Sequence, residues 1–164
     1  MRQIITFDSG PQEPRWVAVN DDVMGGRSSG GPTVSDGALQ FRGDLSLANN
    51  GGFASVRSVG RSFDLSSASA VVLRVKGDGR RYQLRLATDL VYRGIAVSFG
   101  SGFDTTAGQW TVVCVPLDSM QATVRGTPVP DARMDASQVR EIGLLIADKR
   151  EGSFALTVDW IGLE

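Results

Sequence analysis

The 164 residues carry 17 Lys and Arg against 18 Asp and Glu, with no histidine and a single cysteine, Cys114. That balance lacks the basic excess expected of a nucleic-acid binder, in which phosphate neutralisation supplies most of the affinity. The missing histidines exclude Ser-His-Asp and Cys-His nucleophile pairs and imidazole metal ligands, and one cysteine excludes an intrachain disulfide and a thiolate zinc cluster. The length suits one domain spanning residues 1–164, large enough to bury a core without staples. A reducing compartment fits the cysteine usage. The N-terminus, Met-Arg-Gln-Ile-Ile-Thr-Phe-Asp, shows no apolar signal-peptide core, and no apolar run is long enough to span a membrane. A cytoplasmic protein without a membrane span is the expectation.

Along the chain the dominant period is two. Short strands are predicted at residues 4–7, 39–42 and 53–57. Val71, Leu73 and Val75 then alternate with Val72, Arg74 and Lys76; Tyr82, Leu84 and Leu86 alternate with Gln83, Arg85 and Ala87; Ile95, Val97 and Phe99 alternate with Ala96 and Ser98. Each pattern is a strand with one buried face. Trp110–Pro116 and residues 142–147 read as further strands, and Phe154, Leu156, Val158 and Trp160 form a last alternating set. Glycine-bearing turns are expected at Gly30-Gly31-Pro32, Ser35-Asp36-Gly37, Asn50-Gly51-Gly52, Gly77-Asp78-Gly79, Gly100-Ser101-Gly102 and Glu151-Gly152. Helix is confined to a turn or two near residues 118–121 and 135–139, the latter capped by Asp135. Residues 122–134, with Gly126, Pro128 and Pro130, read as a long surface loop. About nine or ten strands and almost no helix predict an all-β sandwich or jelly roll.

One segment is not a strand. Residues 16–28 read Trp-Val-Ala-Val-Asn-Asp-Asp-Val-Met-Gly-Gly-Arg-Ser, in which Asn and Asp can bond nearby backbone and the glycines accept unusual dihedrals. The pattern resembles the signature Trp-x-x-Val-Asn-Asp-x-Val-Met-Gly-Gly-x-Ser of the complex I intermediate-associated protein 30 family. Three later pieces fit in order: Leu45-Ser46-Leu47-Ala48-Asn49-Asn50-Gly51-Gly52-Phe53-Ala54-Ser55-Val56-Arg57, Val75-Lys76-Gly77-Asp78-Gly79-Arg80-Arg81-Tyr82, and Ile142-Gly143-Leu144-Leu145-Ile146-Ala147-Asp148-Lys149 followed by Gly152-Ser153-Phe154. The resemblance implies a galactose-binding-like jelly-roll β-sandwich of two antiparallel sheets. It also implies a non-catalytic, chaperone-like assembly or scaffolding factor for a respiratory or photosynthetic complex, with protein partners and no cofactor. The family's mitochondrial member has additional N-terminal sequence with a targeting segment, so a free-standing bacterial domain is expected here.

Candidate ligand or partner residues are Trp16, Asn20, Asp21, Asp22, Arg27, Arg57, Arg85 and Tyr92. Asn20, Asp21 and Asp22 offer the oxygens that a cation or a sugar hydroxyl would want. Adjacent carboxylates diverge unless the backbone turns, however, and the favoured reading is a loop held by side-chain-to-backbone bonds, with a carboxylate paired to Arg27 or Arg57. No metal site is assigned. The glycines from Gly25 to Gly31 lack the lysine and following helix of a phosphate loop. Arg57, Arg74, Gln83, Arg85 and Arg93 oppose the buried sets, with Tyr92 beside them. They make either an ordinary charged surface or a platform of hot-spot residue types. Trp110 and Trp160 alternate with core residues and are expected to pack, whereas Trp16 is open to either role. Cys114, between Val113 and Val115, is expected to be a small buried hydrophobe. The alternative function is a carbohydrate or other small-ligand binding module; a hydrolase using Asp21 or Asp22 is weaker.

Overall fold

The computed structural model describes residues 1–8, 10 and 13–164, with Val23 and Met24 defined by their backbone alone. It contains thirteen strands: β1 (Arg2–Ile5), β2 (Arg15–Ala18), β3 (Ser29–Ser35), β4 (Ala38–Leu45), β5 (Ala54–Val59), β6 (Ala70–Lys76), β7 (Arg81–Tyr92), β8 (Ile95–Asp104), β9 (Trp110–Pro116), β10 (Gln121–Val124), β11 (Thr127–Pro128), β12 (Glu141–Ile146) and β13 (Gly152–Leu163). The helical signals are single 3-10 turns, and no described helix is long and apolar enough to cross a membrane.

Two antiparallel sheets form. One is six-stranded, in the order β3-β4-β13-β6-β9 with β1 also on β13; the other is seven-stranded, in the order β11-β10-β8-β7-β12-β5-β2. Period two decides which side chains meet between them. Leu39 and Phe41 of β4, Leu73 and Val75 of β6, and Phe154, Leu156 and Val158 of β13 face Val56 of β5, Tyr82, Leu84 and Leu86 of β7, Val97 and Phe99 of β8, and Leu144 and Ile146 of β12. Tyr82 sits at the centre, edge-on to Phe41 and Phe154 and stacked on Phe103. The alternation predicts such a sandwich, and the family resemblance implied its jelly-roll form with two antiparallel sheets.

Several local expectations fail. Gly30-Gly31-Pro32 lies inside β3, an edge strand, where the missing proline N–H leaves no central ladder bond unmade. Opposite Gly30, Gly43 lets the two strands approach; a Cβ there would lie 2.0 Å from the Ser29 carbonyl. Gly100-Ser101-Gly102 lies inside β8. Gly77-Asp78-Gly79, between β6 and β7, crosses from the six-stranded to the seven-stranded sheet instead of closing a hairpin. The expected loop at residues 122–134 contains the β10–β11 hairpin, turned by Arg125 (φ 49°) and Gly126 (φ 81°).

The three misassigned side chains share a cause in strand phase. With Val115 inward, Trp110, Val112 and Cys114 fall on the outward phase of β9, so Cys114 and Trp110 are exposed. Arg74 lies over the Trp110 ring at 4.3 Å. A bulge between Val158 and Trp160 flips the phase of β13, turning Trp160 out and Ile161 in.

A buried polar network holds one end of the sandwich. Arg80 donates through Nε and Nη2 to Asp148 at 2.8 and 2.6 Å, and through Nη1 to the carbonyls of Gly152 and Ser153 at 3.1 and 3.0 Å. Asp78 accepts the Tyr82 hydroxyl at 3.1 Å and the Ala155 amide at 2.8 Å. The Arg80 hydrogen bond is the main cause that holds the Asp148 carboxyl below its ordinary value, and burial pushes the Tyr82 phenol up. Asp148→Ala should lower the unfolding free energy by about 3 kcal/mol, because it strands a desolvated guanidinium. Asp159→Ala, which removes the half-exposed partner of Arg74, should cost less than about 1 kcal/mol. Urea denaturation of both variants measures the contrast.

Candidate functional site

The motif at residues 16–28 folds around one carboxylate. Asp21 is 1% exposed and opens a 3-10 turn, Asp21–Met24. Its Oδ1 accepts the Ser28 amide at 2.8 Å; its Oδ2 accepts the Ser28 hydroxyl at 2.7 Å, the Gly52 amide at 2.6 Å and the Phe53 amide at 3.3 Å. The backbone must come this close. A Cβ on Gly26 would lie 2.4 Å from the Asp21 carboxyl carbon, and one on Gly51 would lie 2.5 Å from Oδ2. Burial opposes the charge, yet the donors from Gly52, Ser28 and Phe53 outweigh it and hold the carboxyl below its ordinary 3.8. With four N–H and O–H hydrogens directed at it, this carboxylate presents donors, not lone pairs, to its surroundings. Asn20 does similar work: its amide donates to the Gly30 carbonyl at 3.0 Å and its oxygen accepts the Ser55 amide at 3.2 Å.

The expected pairing with Arg27 or Arg57 does not form. The carboxylate is satisfied by uncharged donors, and both arginines lack an ion pair among the described residues. Asp22 and Arg27 are exposed. Trp16 lies opposite buried Ser58, on the inner face at the edge of the core, with its ring 5.6 Å from that of Phe7. Tyr92 is exposed at the β7–β8 hairpin, with Arg93 over its ring at 5.2 Å.

Arg57 and Arg85 are brought together elsewhere. The outer face of the seven-stranded sheet is a groove of about 1230 Å³ walled by β5, β12, β7, β8 and β10. Strand register lays one row across it: Val17, Arg57, Gly143, Arg85, Gly100, Gln121. A neighbouring row runs Ser55, Leu145, Gln83, Gly102, and another Glu141, Ala87, Ser98, Thr123. Arg74 is absent because β6 belongs to the other sheet. Arg85 donates to Ser98 Oγ at 3.0 Å, Gln83 Oε1 at 2.9 Å and Thr123 Oγ1 at 2.8 Å, all uncharged acceptors. Among the described residues Phe53 is the one aromatic side chain lining the groove. Gly100, Gly102 and Gly143 escaped sequence reasoning; the usable signal was their phase, outward on strands flanked by Phe99 and Phe103 or by Ile142 and Leu144.

The family model described as Complex I intermediate-associated protein 30 (CIA30) matches residues 5–158. The chain belongs to the complex I intermediate-associated protein 30 family. The buried Asp21 cage is therefore what this family's signature builds in this member. Named relatives include "Complex I intermediate-associated protein 30, mitochondrial" of Mus musculus, 28% identical over 91% of the chain and 52% of that protein. The Drosophila melanogaster protein of the same name is 27% identical over 92% of the chain and 58% of its own length. The chain thus spans a little over half the length of these relatives. Among solved structures, a family 11 carbohydrate-binding module from Clostridium thermocellum, in complex with a mixed-linked tetrasaccharide, superposes with a TM-score of 0.71 at 14% identity, over 99% of this chain and 94% of that one. An agarase matches with a TM-score of 0.63 at 12% identity, over the whole chain and 25% of the enzyme. At such identities the likeness is one of fold.

Asp21→Ala strands four donors and should cost on the order of 3 kcal/mol, whereas Asp22→Ala should stay within about 0.5 kcal/mol of the parent. The folded-state carboxyls of Asp21 and Asp148 both sit low. Near about pH 4 the unfolded chain therefore binds more protons than the folded one. Their stabilisation is complete above that range and is lost as pH falls through the folded values. Denaturation across a pH series should show this acid slope, and Asp21→Asn should flatten it.

Proposed function

We propose that this family member is a non-catalytic binding domain, acting as a chaperone-like assembly or scaffolding factor for a respiratory or photosynthetic complex, and that it holds its protein partner in the groove of the seven-stranded sheet. The observation that carries this reading is the groove itself, a long sheet face lined by arginine, glutamine, serine and threonine side chains. Arg-rich, polar-rimmed concavities of this kind suit protein surfaces. The relatives' name, which associates them with a complex I intermediate, points the same way. Among the described residues that line the groove, no catalytic constellation is seen. The chain has no histidine; of the two acids that line the groove, Asp148 is committed to Arg80, and Glu141 has no second free carboxylate beside it.

The carbohydrate alternative shares the fold with its neighbours, but sugar rings are commonly held by stacking on flat aromatic faces. Trp16 faces the core edge, and Trp110 and Trp160 lie on the opposite sheet.

Leu145 lies in the groove in the row of Gln83. Affinity purification after cross-linking in the native organism should recover subunits of one multisubunit complex, and Leu145→Arg should abolish that recovery while leaving the thermal melt unchanged. Recovery indifferent to Leu145→Arg, or a clear glycan-array hit with no recovered complex, would sink the proposal.

A further inference from the structure

Two of the arginines that line the groove, Arg57 and Arg85, form no ion pair among the described residues. Arg57 and Arg85 flank Gly143 in one register row, and Gly100 lies on the far side of Arg85. Gly100 lets the Arg85 guanidinium lie down on the sheet, and Gly143 leaves room for the Arg57 stem. A Cβ on Gly100 would lie 1.9 Å from Arg85 Nη1 and 2.5 Å from its central carbon, and one on Gly143 would lie 3.4 Å from Arg57 Cγ. An arginine spread along a sheet gives up hydration that an upright side chain would keep. Desolvated charges are normally paired.

These two are not paired. Arg85 spends three of its five N–H groups on the uncharged oxygens of Ser98, Gln83 and Thr123. Arg57 makes no side-chain hydrogen bond or ion pair among the described residues. The neighbouring charges do not compensate. Arg81 is paired to Asp104 and Asp148 to Arg80, while Glu141 forms no ion pair. Burial depresses the basicity of Arg85, and the nearby Arg57 charge adds to the effect.

We infer that Arg57 and Arg85, with Gly143 between them and Gly100 beneath the Arg85 guanidinium, form a carboxylate-binding subsite, and that its occupant is an Asp or Glu side chain of an extended polypeptide segment. This rests on the groove being the partner-binding face. Two oxygens of a carboxylate match the forked donors of guanidinium groups, and the pairing is strongest where water is already excluded. Three uncharged anchors fix the Arg85 plane, which reduces the ordering cost of binding. A polypeptide is favoured because the cationic floor complements an acidic side chain. Amides and hydroxyls at Gln83, Gln121 and Thr123 complement a backbone, and the small apolar positions Ala87 and Ala96 give room for flanking side chains.

The probe is an amidated peptide of alternating Glu and Ser, with its Gln-Ser counterpart and oligogalacturonate as controls. Calorimetry and NMR on the full chain supply the readouts. The Glu peptide should bind roughly tenfold or more tightly than the Gln peptide, moving the Arg85 Nε–H and the Gly100 and Gly143 amide signals. Arg85→Gln and Arg57→Gln should each remove that preference. Gly100→Ala, which pushes the guanidinium off the floor while keeping it, should do the same with an unchanged fold. Equal affinity for the two peptides, failure of both to bind, signals that move outside the groove, or binding of oligogalacturonate alone would each overturn the subsite. Complex recovery separates the two proposals. If Leu145→Arg abolishes it and the arginine variants do not, the subsite is wrong and the groove reading stands. If neither affects it, both fall.

Discussion

The Asp21 carboxylate closes one end of the sandwich. Through Ser28, Gly52 and Phe53 it joins the turn after β2, the approach to β3 and the loop between β4 and β5. Ser28 extends the link, since its hydroxyl, which donates to Asp21, accepts the Ser46 amide. A buried charge is costly until its donors are in place and stabilising once they are, so these loops form together or not at all. The consequence reaches the groove. Val19, just beyond β2, exchanges bonds with Ser55, and Ser55 also meets Asn20. That stitching holds β2 against β5, the strand that presents Arg57.

The same end of the molecule shows a division of labour between charges. A net charge of −1 gives no hint of it. Several acids are consumed internally: Asp21 by backbone, Asp78 by Tyr82 and Ala155, Asp148 by Arg80. What their commitment leaves behind on the seven-stranded sheet is cationic. A net charge of −1 and a locally positive floor are compatible because Asp21 is spent on backbone, Asp78 on Tyr82 and Asp148 on Arg80, while Arg57 and Arg85 face the groove.

The core was legible because burial between two sheets imposes period two on every long strand, and Val71 to Val75, Tyr82 to Leu86 and Phe154 to Val158 obey it. The site was less so. Alternation tells which side chains share a face of one strand but not which sheet the strand joins, so Arg74 and Arg85 read alike until topology separates them. Glycine is ambiguous by nature. It permits positive φ at Gly37 and close approach at Gly100, and only the second makes room for a side chain on the sheet. Trp160 was misread because a one-residue bulge inverts everything beyond it. Asp21 and Asp22 look equivalent in the chain. The 3-10 turn buries one and exposes the other, and nothing short of the backbone path decides which.

A jelly roll keeps its packing while the side chains on its outer faces change, so one fold is shared with carbohydrate-binding modules at 12 to 14% identity. Which ligand such a face suits depends on where aromatic area and charge are spent. Here the aromatic area is spent on packing, with Tyr82, Phe41, Phe103 and Phe154 in one central cluster. The three tryptophans lie off the groove. The floor instead carries Arg57 and Arg85, the latter with a guanidinium that Gly100 allows to lie flat. An uncompensated, partly desolvated cation is a standing cost in the unbound domain, and hydrophobic packing elsewhere must offset it. Such a cost is relieved only by a guest that brings the missing negative charge.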